Sequence, residues 1–204
     1  MKIKFGTLLM VLGSVLLAAA LALFLFNRHQ QQQASRSVEE LMPQMAEIIQ
    51  ERKAAPVPAP QQPEQSAEPE EPQMTVVEID GHGYIGFVGI PALELELPVL
   101  AQWSDALLKI SPCLFTGSVY SGDMVIMAHN YTKHFGRLYQ LRAGDTVTFT
   151  DMDGITRYYE VAALDVLGPY DVEEMTAGEY ALTLFTCTYG GENRVTVRCD
   201  IAAG

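Results

Sequence analysis

The pattern of apolar and polar positions divides the chain into four stretches. Residues 5–26 carry no charge over 22 positions, which as a helix rising about 1.5 Å per residue would span roughly 33 Å. That is enough to cross a bilayer core of about 30 Å. Residues 27–53 turn polar, then amphipathic: Val38, Leu41, Met42, Met45, Ile48 and Ile49 recur at helical spacing. Ser37 and Glu40 match a capping box, so a new helix is expected to begin there, with Pro43 kinking it or delaying its start. Residues 54–73 hold six of the 11 prolines, a composition that prefers extended polyproline-type structure and acts as a spacer. From residue 75 onward the pattern is strand-like.

The strand signals are short and closely spaced. Residues 75–80 alternate weakly, residues 83–90 are apolar with glycines, and residues 93–97 alternate leucine with glutamate. Met124–Ala128 is a continuous apolar run, as a strand covered on both faces would be. Residues 146–149 and 155–161 flank Asp151-Met152-Asp153-Gly154, a hairpin turn signal. Residues 181–186 and 195–201 complete the set, and short helical pieces fit residues 106–110 and 135–141. Seven or eight short strands with few helices predict a mainly β closed barrel or sandwich. The expected organisation is thus a cytoplasmic N-terminus (1–4), a transmembrane helix (5–26), a juxtamembrane amphipathic segment (27–53), a linker rich in Pro, Glu and Gln (54–74) and one domain (75–204).

Charge sharpens this picture. The formal net charge is −12. Residues 75–204 hold 7 basic against 17 acidic residues, so nucleic acid is not an expected partner. Three cysteines are too few for a disulfide scaffold, and without a CxxC pair a zinc ribbon or thioredoxin-type motif is excluded. No acidic metal loop is visible, and neither a metal nor a cofactor is expected. An uncleaved anchor is preferred over a signal peptide, because cleavage at Ala18-Ala19-Ala20 would leave Leu21–Phe26 as an apolar new end. Lys2 and Lys4 favour an inside N-terminus, nearly balanced by Arg28 and Arg36.

Candidate chemistry sits at strand ends. Leu182-Thr183-Leu184-Phe185-Thr186-Cys187 runs into a Gly-rich turn, and Val195 starts the next strand just after Arg194. Cys187 and Arg194 thus fall near the facing ends of two strands, where a guanidinium favours thiolate over thiol and steadies an oxyanion. Val125-Ile126-Met127-Ala128 ends at His129, and imidazole is the usual proton partner of a thiol nucleophile. His134 competes for that role from a loop. Asp123 or Asp145 could orient the imidazole. Arg198, four residues past Arg194, reads as a surface or structural charge, and the alternative for Arg194 is a solvated strand residue pairing with Glu192. Cys113 and Cys199 read as buried thiols, with a disulfide between them conceivable outside a cell.

The segment Thr183-Leu184-Phe185-Thr186-Cys187, with His129 upstream and Arg194 downstream, resembles the TLxTC signature of sortases, membrane-anchored cysteine transpeptidases on the outer face of Gram-positive bacterial membranes. The resemblance covers about residues 83–201. It implies a sortase-type β-barrel and a two-step reaction on an LPxTG-like sorting signal. Cys187 would be the nucleophile, His129 the general acid and base, and Arg194 the group that binds the substrate threonine region or the oxyanion. Thr186 would shape the substrate groove. The family's reactive form implies thiolate with imidazolium. The accepting amine would come from a cell-wall precursor or a pilin lysine. The His129-Asn130 and Thr188-Tyr189 context resembles class B, although the segment from Asp165 to Tyr180 is short for that class. The alternatives are a surface cysteine peptidase that hydrolyses and a non-enzymatic anchored β-barrel that binds wall or protein ligands.

Overall fold

The computed structural model of the chain describes residues 5–54 and 72–202. The expected N-terminus (1–4) and most of the expected linker lie outside the described residues.

One long helix opens the structure. α1 (Phe5–Ala54) runs without a break through the apolar stretch and the amphipathic stretch. The helix expected to begin at Ser37 therefore does not begin there, and Pro43 lies inside α1 rather than at a start. The physical reason is that residues 27–37 contain no glycine and no proline, so nothing ends the first helix before the second pattern takes over. The two halves meet different surroundings. Leu8, Leu12, Leu16, Leu23 and Phe26 are exposed, whereas Leu41, Met45 and Ile49 are buried. Burying each of those three contributes about 1.5–3 kcal/mol, an upper range.

The strands follow in chain order: β1 (Val77–Ile79), β2 (His82–Ile90), β3 (Leu95–Leu100), β4 (Cys113–Thr116), β5 (Met124–Met127), β6 (Thr146–Asp151), β7 (Thr156–Leu167), β8 (Leu182–Cys187) and β9 (Arg194–Ile201). A one-turn helix, α2 (Val172–Met175), lies between β7 and β8. The sheet order is β1-β2-β3-β4-β5-β8-β9-β7-β6, and β2 also pairs with β6. That last pairing closes eight strands, β2 to β9, into a barrel, with β1 added outside it. Closure leaves no free edges within the ring. Two joins are parallel, β3 with β4 and β5 with β8; the others are antiparallel.

The barrel interior is packed with Val88, Ile90, Leu97, Val99, Ile126, Leu138, Phe149, Leu184 and Val197, among others. A second cluster lies outside the barrel wall, where Leu41, Met45 and Ile49 of α1 meet Tyr84, Leu100, Leu108, Cys113 and Met152. The β6–β7 turn docks there too. Met152, within the expected hairpin turn, is fully buried. Gly154 has φ +77, and a Cβ at that position would collide with Lys53 and Ile49, so the turn needs glycine both for conformation and for clearance. Arg52 and Thr75 each bond to Asp153, at 3.2 and 2.7 Å. The end of α1 and the residues just before β1 therefore meet at the β6–β7 turn.

Three local departures have simple causes. Pro91 starts a 3₁₀ turn over Pro91–Leu93, and Glu94 adopts a left-handed conformation with φ 52. The strand expected at 93–97 is therefore displaced to Leu95–Leu100. β4 was hidden because Cys113–Thr116 is too short to alternate visibly. β7 continues well past Val161 to Leu167, pairing there with β9.

Candidate active site

The last residue of β8 and the first of β9 are direct partners: Cys187 lies opposite Arg194. The six residues between them form a tight loop. Thr188 N donates to Asn193 O at 2.9 Å, Asn193 N to Thr188 Oγ1 at 3.0 Å, and Gly191 N to Thr188 O at 2.9 Å. Gly190 and Gly191 both have positive φ, 98 and 83, which is why two glycines stand in the turn. Arg194 Nη1 donates to Gly191 O at 3.0 Å and to Asn193 O at 3.1 Å. The guanidinium therefore braces the loop. Among the described residues it forms no ion pair with Glu192.

The histidine arrives from the other side of β8. β5 runs parallel to β8 with Met127 opposite Phe185. Beyond the strand the pairing persists through three contacts. Ala128 N donates to Phe185 O at 3.2 Å. Thr186 Oγ1 donates to Ala128 O at 2.8 Å. Asn130 Nδ2 donates to Thr188 O at 3.2 Å. Both neighbours of His129 are thus tied to both neighbours of Cys187. Residues separated by 58 positions are brought side by side, flanked by Arg194 on the next strand.

His129 is partly buried, and its Nε2 has no hydrogen-bond partner among the described residues. Burial lowers its pKa below the ordinary imidazole value, Lys109 lowers it further, and Asp105 acts in the opposite direction. The resting environment thus leans toward neutral imidazole. Neither Lys109 nor Asp105 was singled out in the sequence, because no spacing links that short helical stretch to the strand end that carries His129. Tyr131 was also missed. Its ring lies 4.9 Å from that of His129 and 5.5 Å from that of His134, between the two histidines. Trp103, Phe115 of β4 and Phe185 of β8 form a row of aromatic contacts at 5.8 and 5.4 Å.

Burial and bonding separate the other candidate residues. His134 is fully buried, with both ring nitrogens unpartnered among the described residues. Burial, and to a lesser degree His129, push its pKa down to about 4, so it is a neutral packing group and not a rival to His129. Thr186 does not open onto a groove. It is buried, and its hydroxyl is taken by Ala128 O, so its influence passes through the backbone carrying His129. Asp123 bonds to Ser118 N and Ser121 Oγ, and Asp145 to Arg142 N; both order turns of their own. Of the two readings of Arg198, surface or structural charge, the structural one holds. It is buried and bonds to Met175 O (2.9 Å), Glu174 O (2.7 Å), Thr183 Oγ1 (3.3 Å) and Asp165 (3.3 Å), tying the β7–β8 connection to the barrel. Cys113 and Cys199 are free and buried, and desolvation pushes both thiols up to about 12, which keeps them inert.

The barrel end that carries His129 and Cys187 also faces α1. A cleft of about 560 Å³ is lined by Asn130, Tyr131, Tyr189 and Gly190 from the barrel and by Phe24, Asn27, Arg28 and Gln30 from the helix.

Comparison with known proteins agrees with this geometry. The family model described as the sortase domain matches residues 88–202. The chain belongs to the sortase family. No curated protein matches the chain by sequence. Among solved structures, sortase C1 of Streptococcus suis is 28% identical, with TM-score 0.52 over 60% of this chain and 75% of that one. Sortase A of Corynebacterium diphtheriae is 23% identical, with TM-score 0.53 over 60% and 62%. Sortase C of Streptococcus pneumoniae is 22% identical, with TM-score 0.54 over 88% and 95%; at that identity the likeness speaks for the barrel alone. The sortase barrel expected from the pentapeptide is the barrel observed, and family membership makes this protein a transpeptidase-type enzyme. The apolar part of α1, within Gly6–Gln30, is long enough to be a membrane anchor by length and composition.

Proposed function

We propose that this sortase cleaves an LPxTG-like sorting signal and transfers the released acyl group to an amine. The supporting observation is the double tie between the neighbours of His129 and those of Cys187, with Arg194 as the strand partner of the cysteine. The chemistry follows from those three groups. A neutral His129 takes the proton of the Cys187 thiol. The sulfur attacks the carbonyl carbon after the threonine, forming a C–S bond. Arg194, half-exposed at the strand end, stabilises the oxyanion or holds the peptide near the scissile bond. The C–N bond breaks as the imidazolium returns its proton to the leaving amine. An incoming amine, from a cell-wall precursor or a pilin lysine, then displaces the sulfur and restores the thiol. The thiolate–imidazolium form implied by the family is the product of that proton transfer, and the attraction between the two new charges opposes the burial that disfavours charge on His129.

The same reading makes the exposed apolar part of α1 a single-pass anchor, with residues 1–4 inside and the barrel outside the cell. Incubating the full-length protein with a panel of sorting peptides and measuring intact mass should reveal a thioacyl adduct on Cys187. Added amine should convert it to an amide product. Only hydrolysed product at saturating amine would replace transpeptidation by peptidase action. Neither adduct nor turnover, with an ordinary alkylation rate at Cys187, would leave a non-enzymatic binding barrel.

A further inference from the structure

Between the membrane segment of α1 and the part of α1 that packs on the barrel there is no hinge. Asn27, Gln30, Val38, Leu41, Met45, Ile49 and Arg52 are spaced by 3, 8, 3, 4, 4 and 3 positions, a pattern that keeps one stripe of an uninterrupted helix on one side. Contacts run along that whole stripe. At its beginning, Asn27 and Gln30 line the cleft beside Tyr131 and Tyr189, and the Tyr131 hydroxyl donates to Gln30 Oε1 at 3.2 Å. At its middle, Leu41, Met45 and Ile49 are buried against the barrel wall. At its end, Arg52 meets Asp153 in the β6–β7 turn. From residue 30 to residue 52 a helix advances about 33 Å at 1.5 Å per residue. The helix therefore lies along the length of the barrel, with its membrane end at the reactive end and its other end at the β6–β7 turn.

We propose that the reactive end of the barrel rests on the bilayer, with the β8–β9 loop at the level of the lipid headgroups. Four observations carry this. The apolar run of α1 ends at Phe26, so residues 24–30 mark the boundary between hydrocarbon and water. Tyr189 and Gly190 share a cleft with Phe24, Asn27 and Arg28, which places the loop at that boundary. Tyr189 is completely exposed in the protein itself, with 104% relative accessibility, and tyrosine is the residue type that settles at membrane interfaces, apolar ring inward and hydroxyl toward water. The docked stripe leaves no slack for the barrel to tilt away. The occupant of this surface is the lipid headgroup layer. Substrates would approach Cys187 along the membrane plane. The inference rests on α1 spanning a bilayer, as proposed above, and not on the thiol chemistry.

Depth-dependent fluorescence quenching tests it on the full chain in phosphatidylcholine vesicles, with and without brominated acyl chains. The single tryptophan is first replaced, Trp103→Phe, so that one indole reports at a time. Three variants follow: Leu21→Trp in the span, Tyr189→Trp in the loop, and Ile155→Trp beside the β6–β7 turn, where the side chain is exposed. The expected order is strong quenching at 21, intermediate at 189, and little at 155, with position 189 quenched about threefold or more above 155, since only an interfacial indole reaches the acyl region. A Gly-Ser insertion after Gln32 should drop the signal at 189 to that at 155 while leaving 21 unchanged. Quenching at 21 with equal, weak quenching at 189 and 155 would overturn the seating while keeping the anchor. Absence of quenching at 21 would overturn both. Cys187→Ala should change none of these values, which separates this result from the fate of the catalytic reading.

Discussion

The two ends of the barrel handle polar groups in opposite ways. At the β6–β7 turn, the Asp151 carboxylate is almost fully buried and completely engaged. It accepts from Asp153 N at 3.1 Å, from Ile155 N at 2.9 Å and from Arg157 at 2.8 Å. At the other end, His129 Nε2 and both nitrogens of His134 lack partners among the described residues, and Cys187 and Arg194 remain half-exposed. Buried polar groups left unsatisfied cost about 1–3 kcal/mol each. An end that tolerates several of them is arranged for something other than stability. One end holds the barrel and the helix together with satisfied polar groups; the other leaves buried ring nitrogens unpaired beside a half-exposed thiol and guanidinium.

If that division is right, variants at the reactive end should lose activity and keep stability, and variants at the turn end should do the reverse. The largest effect is expected from Cys187→Ala: turnover of sorting peptide should fall at least about 10⁴-fold, with the thermal midpoint unchanged. Retained cleavage would remove the thiol from the reaction. Next is the removal of α1. A fragment of residues 75–204 exposes the surface that Leu41, Met45 and Ile49 cover. It should be less stable than residues 38–204 by roughly 4.5–9 kcal/mol in denaturant unfolding, an upper range from buried area. Equal stabilities would show that the helix is only a tether.

Arg194→Ala should reduce kcat/KM by about 10²- to 10³-fold, with only a small change in unfolding midpoint because the group is half-exposed. A loss of stability in place of activity would make Arg194 a loop brace alone. Asp151→Ala is the mirror case. It should cost about 2–4 kcal/mol by stranding buried donors and Arg157, with kcat/KM close to normal at a temperature where the protein stays folded. The smallest effect is a pH dependence. The folded pKa of His134, about 4, lies below its unfolded value of about 6.5. The unfolded chain therefore binds more protons between those values, and stability should fall as pH drops from about 6.5 toward 4. His134→Leu should remove roughly 1–3 kcal/mol of that loss. An unchanged slope would mean that other groups govern the acid limb.

Legibility in the sequence tracked the range of the interactions involved. The hairpin at Asp151–Gly154, the strand leading into Cys187 and the strand ending before His129 were readable, because alternation, turn glycines and strand ends are written locally. β4 was not, since four residues held by one parallel pair with β3 and a short pairing with β5 carry too little pattern. For Arg198 the sequence left a surface and a structural role open, because the carbonyls of Glu174 and Met175 that it binds come from a connection whose path no spacing reveals. His134 and His129 looked like rivals, since both follow apolar or loop sequence. What separates them is burial, which is a property of all the surrounding elements.

By itself the chain determined an apolar segment, a set of short strands and a thiol, an imidazole and a guanidinium each placed at a strand end, for these follow from the period of side-chain alternation and from residue chemistry. Tertiary structure alone decided that β5 lies beside β8, that Thr186 and Asn130 lock the two strand ends together, and that α1 continues from the apolar segment onto the barrel wall. Those outcomes depend on which of many possible long-range pairings buries the most apolar surface while leaving the fewest unpaired backbone groups. That choice is made by the whole barrel at once and appears in no window of the sequence.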